Sequence, residues 1–500
     1  MARATHHHRR RVVAMVPGAV CLVLALTAAS LASSAGAEAQ TRAVAGTRAA
    51  AAGGSWRTAI EVPGTAALNV GGHAQLTSVS CASAGNCSAG GYYWDASGNI
   101  QALVAREVNG VWRRAQEVPG TAALNKYGAA EVNTVSCASA GNCSAGGFFR
   151  GGSGHIQAFV AAEVNNVWRR AQKVPGTAVL NAGGDAEVTS LSCAGPGSCT
   201  AAGYYLDASA RREAFVASEV NGVWKPAEVV PGIAALNKGG GVEVHSVSCA
   251  GAADCSLGGS YLDVAGLNQA FVARKVNGVW RRAQEVPGTA ALNMGGFAQV
   301  LSVSCASAGN CSAGGYYADA AHNAQAFVAV EVNGVWRRAQ EVPGTAALNI
   351  GGSAQVWSLS CPAAGDCSAG GTYIDASNHS QAFVVAEVNG SWRRAQEVPG
   401  TAALNAGGDA QVNSVSCAQP GDCSAGGFYA GATTASQAFV ATQVNGVWGR
   451  AEQVPGTAAL DKGGNAQVTS LSCATAVSCS AGGSYADASL RLQAFIVNKS

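Results

Sequence analysis

A chain of 500 residues ordinarily suggests several domains, but 48% hydrophobic residues with 65 Gly, 3 Met and only 12% charged residues describe turn-rich, tightly packed strands. The formal net charge of +2 excludes the electrostatic footprint of a nucleic-acid binder or of a protein held to anionic membranes. The class expected is all-β.

The chain opens with an export-signal pattern: basic residues from His6 to Arg11, an apolar run from Val12 to about Ala29, and small residues ending at Ala35-Gly36-Ala37. Cleavage after Ala37 or Ala39 fits that ending, and an uncleaved anchor is the alternative because the run approaches spanning length. The organisation expected is a signal over 1–37, a linker over 38–54 and one repeat domain over 55–500. Cys21 lies in the apolar run and leaves with the signal. No membrane span then remains, and the mature chain is expected to be secreted, extracellular and monomeric.

From Trp56 onward the sequence keeps a period of 56 residues: Trp56, Trp112, Trp168, Trp224, Trp280, Trp336, Trp392 and Trp448. Cysteines follow the same period as eight C-x5-C units: Cys81 with Cys87, Cys137 with Cys143, Cys193 with Cys199, Cys249 with Cys255, Cys305 with Cys311, Cys361 with Cys367, Cys417 with Cys423 and Cys473 with Cys479. A fixed period without drift marks a repeat architecture. Sixteen cysteines in an exported chain argue for disulfides within each unit, whereas zinc would want C-x2-C spacing or a recurring histidine.

One copy reads as four strands. Val111 to Val118 ends at Pro119-Gly120, and a long stretch of small and polar residues, Thr121 to Ala130, leads to the second strand, Glu131 to Cys137. A five-residue turn returns the chain as Cys143 to Phe149, facing the two cysteines across a hairpin. After the loop Gly151 to His155, the run Gln157 to Val164 meets the next tryptophan strand through Asn165-Asn166. Six other copies carry Asn-Gly there, beginning with Asn109-Gly110, the pattern of a type I′ hairpin. Only the stretch after Val-Pro-Gly is then long enough to cross to the next sheet. Four antiparallel strands repeated eight times predict an eight-bladed β-propeller. The last copy lacks its tryptophan strand and Ser55 to Val62 supplies one, so the two ends of the domain are expected to build one blade. An open solenoid would instead carry atypical capping repeats.

Gly146-Gly147, and Asn109-Gly110-Val111-Trp112 followed by Pro119, make the repeat resemble the kelch class of propeller blade from Trp56 to Ser500. That resemblance implies a diglycine after the second strand and a tryptophan near the outer one. The chain departs from the pattern where Phe159 and Phe215 replace the usual tyrosine, and in having eight units rather than six or seven. It is also similar to secreted bacterial repeat proteins with Ser-Val-Ser-Cys units. Neither likeness implies one activity, because propellers host enzymes, lectins and scaffolds alike.

Residues recurring in most copies read as structural. Asp95, Asp207, Asp263, Asp319, Asp375 and Asp487 are single carboxylates per loop, which suits turn capping better than calcium. Function is expected on the rim where copies differ: the loops with Ser97-Gly98-Asn99, Ala210-Arg211-Arg212, His322-Asn323 and Asn378-His379, and the crossings with His73, Asp185, Phe297 and Asp409. The first polar position of the innermost strand is Gln in five copies but Glu131, Glu187 and Glu243 in three consecutive ones, with His245 two residues beyond the last. Such an arc suits a cation or a basic or polyhydroxyl ligand, and Trp357, at the position matching His245, can stack a sugar. No catalytic motif, cofactor fingerprint or metal cluster is present in the sequence. The reading is a non-enzymatic binding or adhesion module for a glycan or cell-envelope ligand. The alternatives are a carbohydrate-active hydrolase or lyase using the carboxylate arc, and a structural envelope protein.

Overall fold

The computed structural model describes residues 53–433 and 435–500. The expected export signal and most of the expected linker lie outside them. In chain order the first elements are β1 (Ile60–Glu61), α1 (Thr65–Leu68), β2 (Ala74–Ser83), β3 (Asn86–Trp94), β4 (Ile100–Val108), β5 (Val111–Trp112), β6 (Gln116–Glu117) and α2 (Thr121–Leu124). β2, β3 and β4 pair antiparallel, and β5 and β6 both pair with β4. They make the first blade, and the pattern repeats in further sheets beginning at Ala130, Ala186, Val242, Ala298, Ala354, Ala410 and Gln467. Among the described residues the result is all-β, an eight-bladed propeller with small helices only.

The ring closes as the termini of the domain predict. β1 pairs with Leu492–Lys499 through Ile60↔Ile496 and Glu61↔Phe495, Trp56 bridges Lys499, and the backbones of Ser55 and Ser500 exchange two 3.0 Å hydrogen bonds.

The fourth strand is broken where the sequence reads as continuous. Trp112 faces Glu107 in β5, but Glu117 faces Leu103 in β6, so the register slips by one residue between them. Ala115 N uses the freed position to bond Pro63 O, 2.7 Å away on the connection from the preceding blade. The crossing, read as small and polar, contains the single helical turn α2, too short to show a 3.6-residue period. Thr121 Oγ1 donates to Val118 O at 2.7 Å, while Asn125 Nδ2 donates to Ile100 O and Gln101 Oε1 at 3.0 Å, tying the crossing to the blade behind it.

The core lies between blades. One cluster joins Leu76, Val79, Cys87, Tyr93, Leu103 and Trp112 of the first blade to Ala494 and Ile496 of the eighth. β4 and its equivalents are buried on both faces, which is why they read Ala-Phe-Val-Ala rather than alternating. Phe159, Phe215, Phe271, Phe327, Phe383, Phe439 and Phe495 are fully buried there, each contributing about 2–3 kcal/mol by area.

The paired glycines sit inside β3, and they answer two different contacts. A Cβ on Gly91 would lie 2.0 Å from Gln75 O, at the bulge where β2 slips register between Leu76 and Ser78. A Cβ on Gly90 would instead meet the Val132 side chain of the next blade. That second contact tolerates alanine, since Ala202 occupies the position in the third blade.

The Ser-Val-Ser-Cys segment has a role that its sequence does not announce. Each second serine accepts a hydrogen bond from the next blade's cysteine N–H: Ser80 from Cys137, Ser136 from Cys193, Ser192 from Cys249, and onward to Ser472 from Cys81, all near 3.0 Å. The series runs unbroken round the ring and closes from the last repeat to the first.

All eight expected disulfides form within blades: Cys81–Cys87, Cys137–Cys143, Cys193–Cys199, Cys249–Cys255, Cys305–Cys311, Cys361–Cys367, Cys417–Cys423 and Cys473–Cys479, with Cα atoms about 4 Å apart. Their number points to an oxidising environment. Beyond its bond to Cys193, Cys199 also meets the preceding blade, its buried Sγ lying 3.4 Å from Ser144 Oγ. A bridged sulfur carries no proton, so the hydroxyl is the donor of that contact. The second cysteine of a pair is therefore a junction residue as well as a clamp, because the close packing of adjacent sheets brings a serine onto its sulfur. Cys311, Cys367 and Cys423 lie 3.5, 3.4 and 3.3 Å from Ser256, Ser312 and Ser368 Oγ across other junctions. Among the described residues no helix is long and apolar enough to cross a membrane.

Candidate functional site

The two rims are built differently. On one, the cysteine hairpin and the Asn-Gly turn meet, Gly110 N donating to Gly85 O at 2.9 Å. Asn109 and Gly110 have φ of 52° and 78°, the positive values that a type I′ turn needs. On the other rim the loop before β4 meets the crossing, Ile100 N donating to Gly128 O at 2.8 Å. There Asp95 caps its own turn: Oδ1 accepts from Ser97 N and Asn99 N, and Oδ2 from Gln101 Nε2 at 2.8 Å. Asp207, Asp263, Asp319, Asp375 and Asp487 accept the same backbone bonds.

The loop rim gathers most of the residues singled out above. Glu131 and Glu187 lie on the innermost strands of the second and third blades, close enough that the Glu187 charge raises the Glu131 pKa beyond what burial does. Burial likewise pushes Glu187 up, although Tyr204, its cross-strand partner, donates to it. Glu243, one blade further, is held by Arg212, whose Nη1 is 2.9 Å from Glu243 Oε1. Nη2 of the same guanidinium is 3.9 Å from Asp185 Oδ2, and the group lies 4.2 Å over the Tyr204 ring. His245 Nε2 is 3.6 Å from Glu243 Oε2. Burial lowers its pKa and the Glu243 carboxylate opposes that.

Trp357 is not brought to this cluster. It stands on the sixth blade, two blades beyond His245, and its half-buried ring leaves Nε1 without a hydrogen-bond partner. His245 and Trp357 occupy the residue that the bulge leaves unpaired. Elsewhere that residue ties blades together, as Thr77 Oγ1 to Val132 O, Asn133 Nδ2 to Val188 O and Thr189 Oγ1 to Val244 O.

Three participants were missed as a group. Arg212 and Asp185 appear in sequence only as variable loop residues, and Tyr204 as one more strand aromatic. Strand alternation identifies Tyr204, because it faces Glu187 in register; nothing local identifies Arg212 as the link to Glu243, 31 residues away. Two blades back, His73 stacks on Tyr92 and Trp94 with centroids 5.6 and 5.1 Å apart, and in the fifth blade Phe297 stacks on Tyr316 at 5.7 Å.

No family model matches this chain, and no curated protein matches it. Solved structures do. A protein of unknown function from Dyadobacter fermentans aligns at 10% identity and TM-score 0.38, over 90% of this chain and 100% of that one. A Hadza microbial sialidase aligns at 10% identity and TM-score 0.34, over 80% and 69%. A neuraminidase-like protein of A/flat-faced bat/Peru/033/2010 aligns at 11% identity and TM-score 0.36, over 73% and 86%. With TM-scores below 0.5, none of these likenesses carries an argument about this chain.

Proposed function

We propose that the chain is a secreted, non-enzymatic binding module that engages an extracellular polyhydroxyl ligand, a glycan or cell-envelope saccharide, on the loop rim. One observation carries this reading: a backbone that repeats eight times presents a rim whose side chains do not repeat. From the first blade to the fourth, that rim runs from the stacked His73, Tyr92 and Trp94, through Glu131 and Glu187, to Arg212, Glu243 and His245. Half-exposed aromatic faces stack on sugar rings, and fixed carboxylates with a guanidinium pair with hydroxyl groups.

A hydrolase is the second reading, favoured by the raised pKa values of the neighbouring Glu131 and Glu187, since a general acid needs such a shift. A screen of the mature chain on glycan and peptidoglycan arrays, with reducing-sugar release measured in parallel, separates the readings. Binding without turnover, lost on Trp94→Ala and merely weakened by Glu187→Gln, is the expected result. Turnover abolished by Glu187→Gln would make the chain a hydrolase. Neither signal from a folded chain would leave a structural envelope protein.

A further inference from the structure

On the disulfide rim each blade junction forms a cleft, and two of these clefts differ by one decisive substitution. The cleft between the fourth and fifth blades, about 250 Å³, is lined by Ser256, Arg274, Glu331 and Gly334 among others. Its carboxylate is satisfied from both sides: Ser256 Oγ donates to Glu331 Oε2 at 2.9 Å, and Arg274 Nη1 lies 3.4 Å from Oε1. The guanidinium rests against the Asn333-Gly334 turn, where a Cβ on Gly334 would meet Nη1 at 2.3 Å.

Two repeats earlier, Ser144, Ala162, Glu219 and Gly222 hold the same stations in the cleft between the second and third blades, the larger of the two at about 350 Å³. Cys199, against Ser144, closes its floor from the third blade. Glu219 is 4% exposed, and its Oε2 has no hydrogen-bond partner. Ala162 stands where Arg274 stands, so the chain supplies no guanidinium of its own from that station. Arg169 and Arg170 also line the cleft, but among the described residues neither pairs with Glu219. Burial alone raises the Glu219 pKa, with no cation opposing it. A buried carboxylate without a partner costs several kcal/mol in charged form, and a cation entering the cleft relieves that cost.

The other junctions do not repeat this arrangement. Val330 fills the corresponding space beside Glu387, whose Oε2 accepts from Ser312, and opposite Ala386 the acid is replaced by Gln443. At Lys275 the cation is built in, its Nζ bonding Ser218 Oγ and Ala252 O.

We propose that the cleft between the second and third blades binds a guanidinium group, such as an arginine side chain of a partner peptide, with Glu219 as its carboxylate partner. The group takes the station that Arg274 occupies from within the chain two blades on. It stands over the Asn221-Gly222 turn beside Trp224. This site is independent of the loop rim and of any ligand there.

The test is calorimetric titration of the intact chain with N-acetyl-arginine methylamide, against the citrulline analogue, which keeps the shape and lacks the charge. Saturable binding of the arginine compound alone is expected, falling about tenfold or more in Glu219→Gln. Ala162→Arg should abolish binding by filling the station from inside while giving Glu219 its partner, which guards against a variant that simply unfolds. Ala386→Arg, at the junction carrying Gln443, should leave binding unchanged. Equal affinity for citrulline, undiminished binding in Ala162→Arg, or no saturable binding by the unaltered chain overturns the proposal.

Discussion

The two rims share one backbone and differ in what their side chains must do. On the disulfide rim, sulfur clamps, Asn-Gly turns and serine hydroxyls recur because each answers a contact that every blade makes. On the loop rim the turn-capping aspartates, the asparagines that tie down the crossings and the glycine at Gly128 and its equivalents are nearly constant, while positions such as His73, Asp185, Phe297 and Asp409 drift. Constancy therefore tracks geometric need and not position in the ring. The exceptions are the informative places. Lys275 and Gln443 stand where most copies carry Glu on the constant rim, and Asp185, Arg212 and Glu243 make a cluster on the variable one.

The comparison breaks most sharply at the diglycine. Gly91→Ala should cost at least about 3 kcal/mol, because a carbonyl 2.0 Å from the new Cβ cannot move without opening the bulge. Gly90→Ala, against a side chain that can shift, should cost about 1 kcal/mol. Equal losses in denaturant unfolding of the two variants would remove the distinction drawn between them.

Removing one clamp, Cys137→Ser with Cys143→Ser, should cost about 2 kcal/mol for so short a loop. Binding on the opposite rim should be untouched, and a loss there would mean that the rims are coupled. Ser80→Ala leaves Cys137 N–H without its acceptor across the blade junction and should cost about 1 kcal/mol in the same assay.

Acid-base behaviour provides finer tests. Lys499, buried at the ring closure beside Ser424 Oγ and Ala476 O, has its pKa lowered to about 8 by burial. Its unfolded value is about 10.4, so between these limits the unfolded chain binds the extra proton and stability rises with pH. Lys499→Met should flatten that rise in unfolding measured from about pH 7 to 11. The smallest effect concerns His245: Glu243→Gln removes the carboxylate that favours the imidazolium, so its already lowered pKa should fall further by NMR titration. An upward movement would show that Glu243 does not govern it.

Much of the fold was legible because its determinants are local. Cys137 and Cys143 face each other across a five-residue turn, and Asn109-Gly110 sets the next hairpin, so sheet order follows from neighbouring strands. The break at Arg113 to Ala115 was not legible, since its cause is Pro63 on the connection from the preceding blade. Cys199 was legible as the partner of Cys193 and not as a neighbour of Ser144, which lies in another blade. Nor was the pairing of Arg212 with Glu243, which needs a loop and the following blade's innermost strand brought to one rim.

Period, strand number, disulfide pairing and the joining of Ser55–Val62 to the last copy were all written in the sequence, because each depends on residues a few positions apart or on a repeat that any alignment of the chain with itself displays. Blade-to-blade matters were decided only in three dimensions. Which serine caps which cysteine, which glutamate meets an arginine and which faces an alanine depend on how tightly adjacent sheets pack, and that spacing is set by the buried side chains between them.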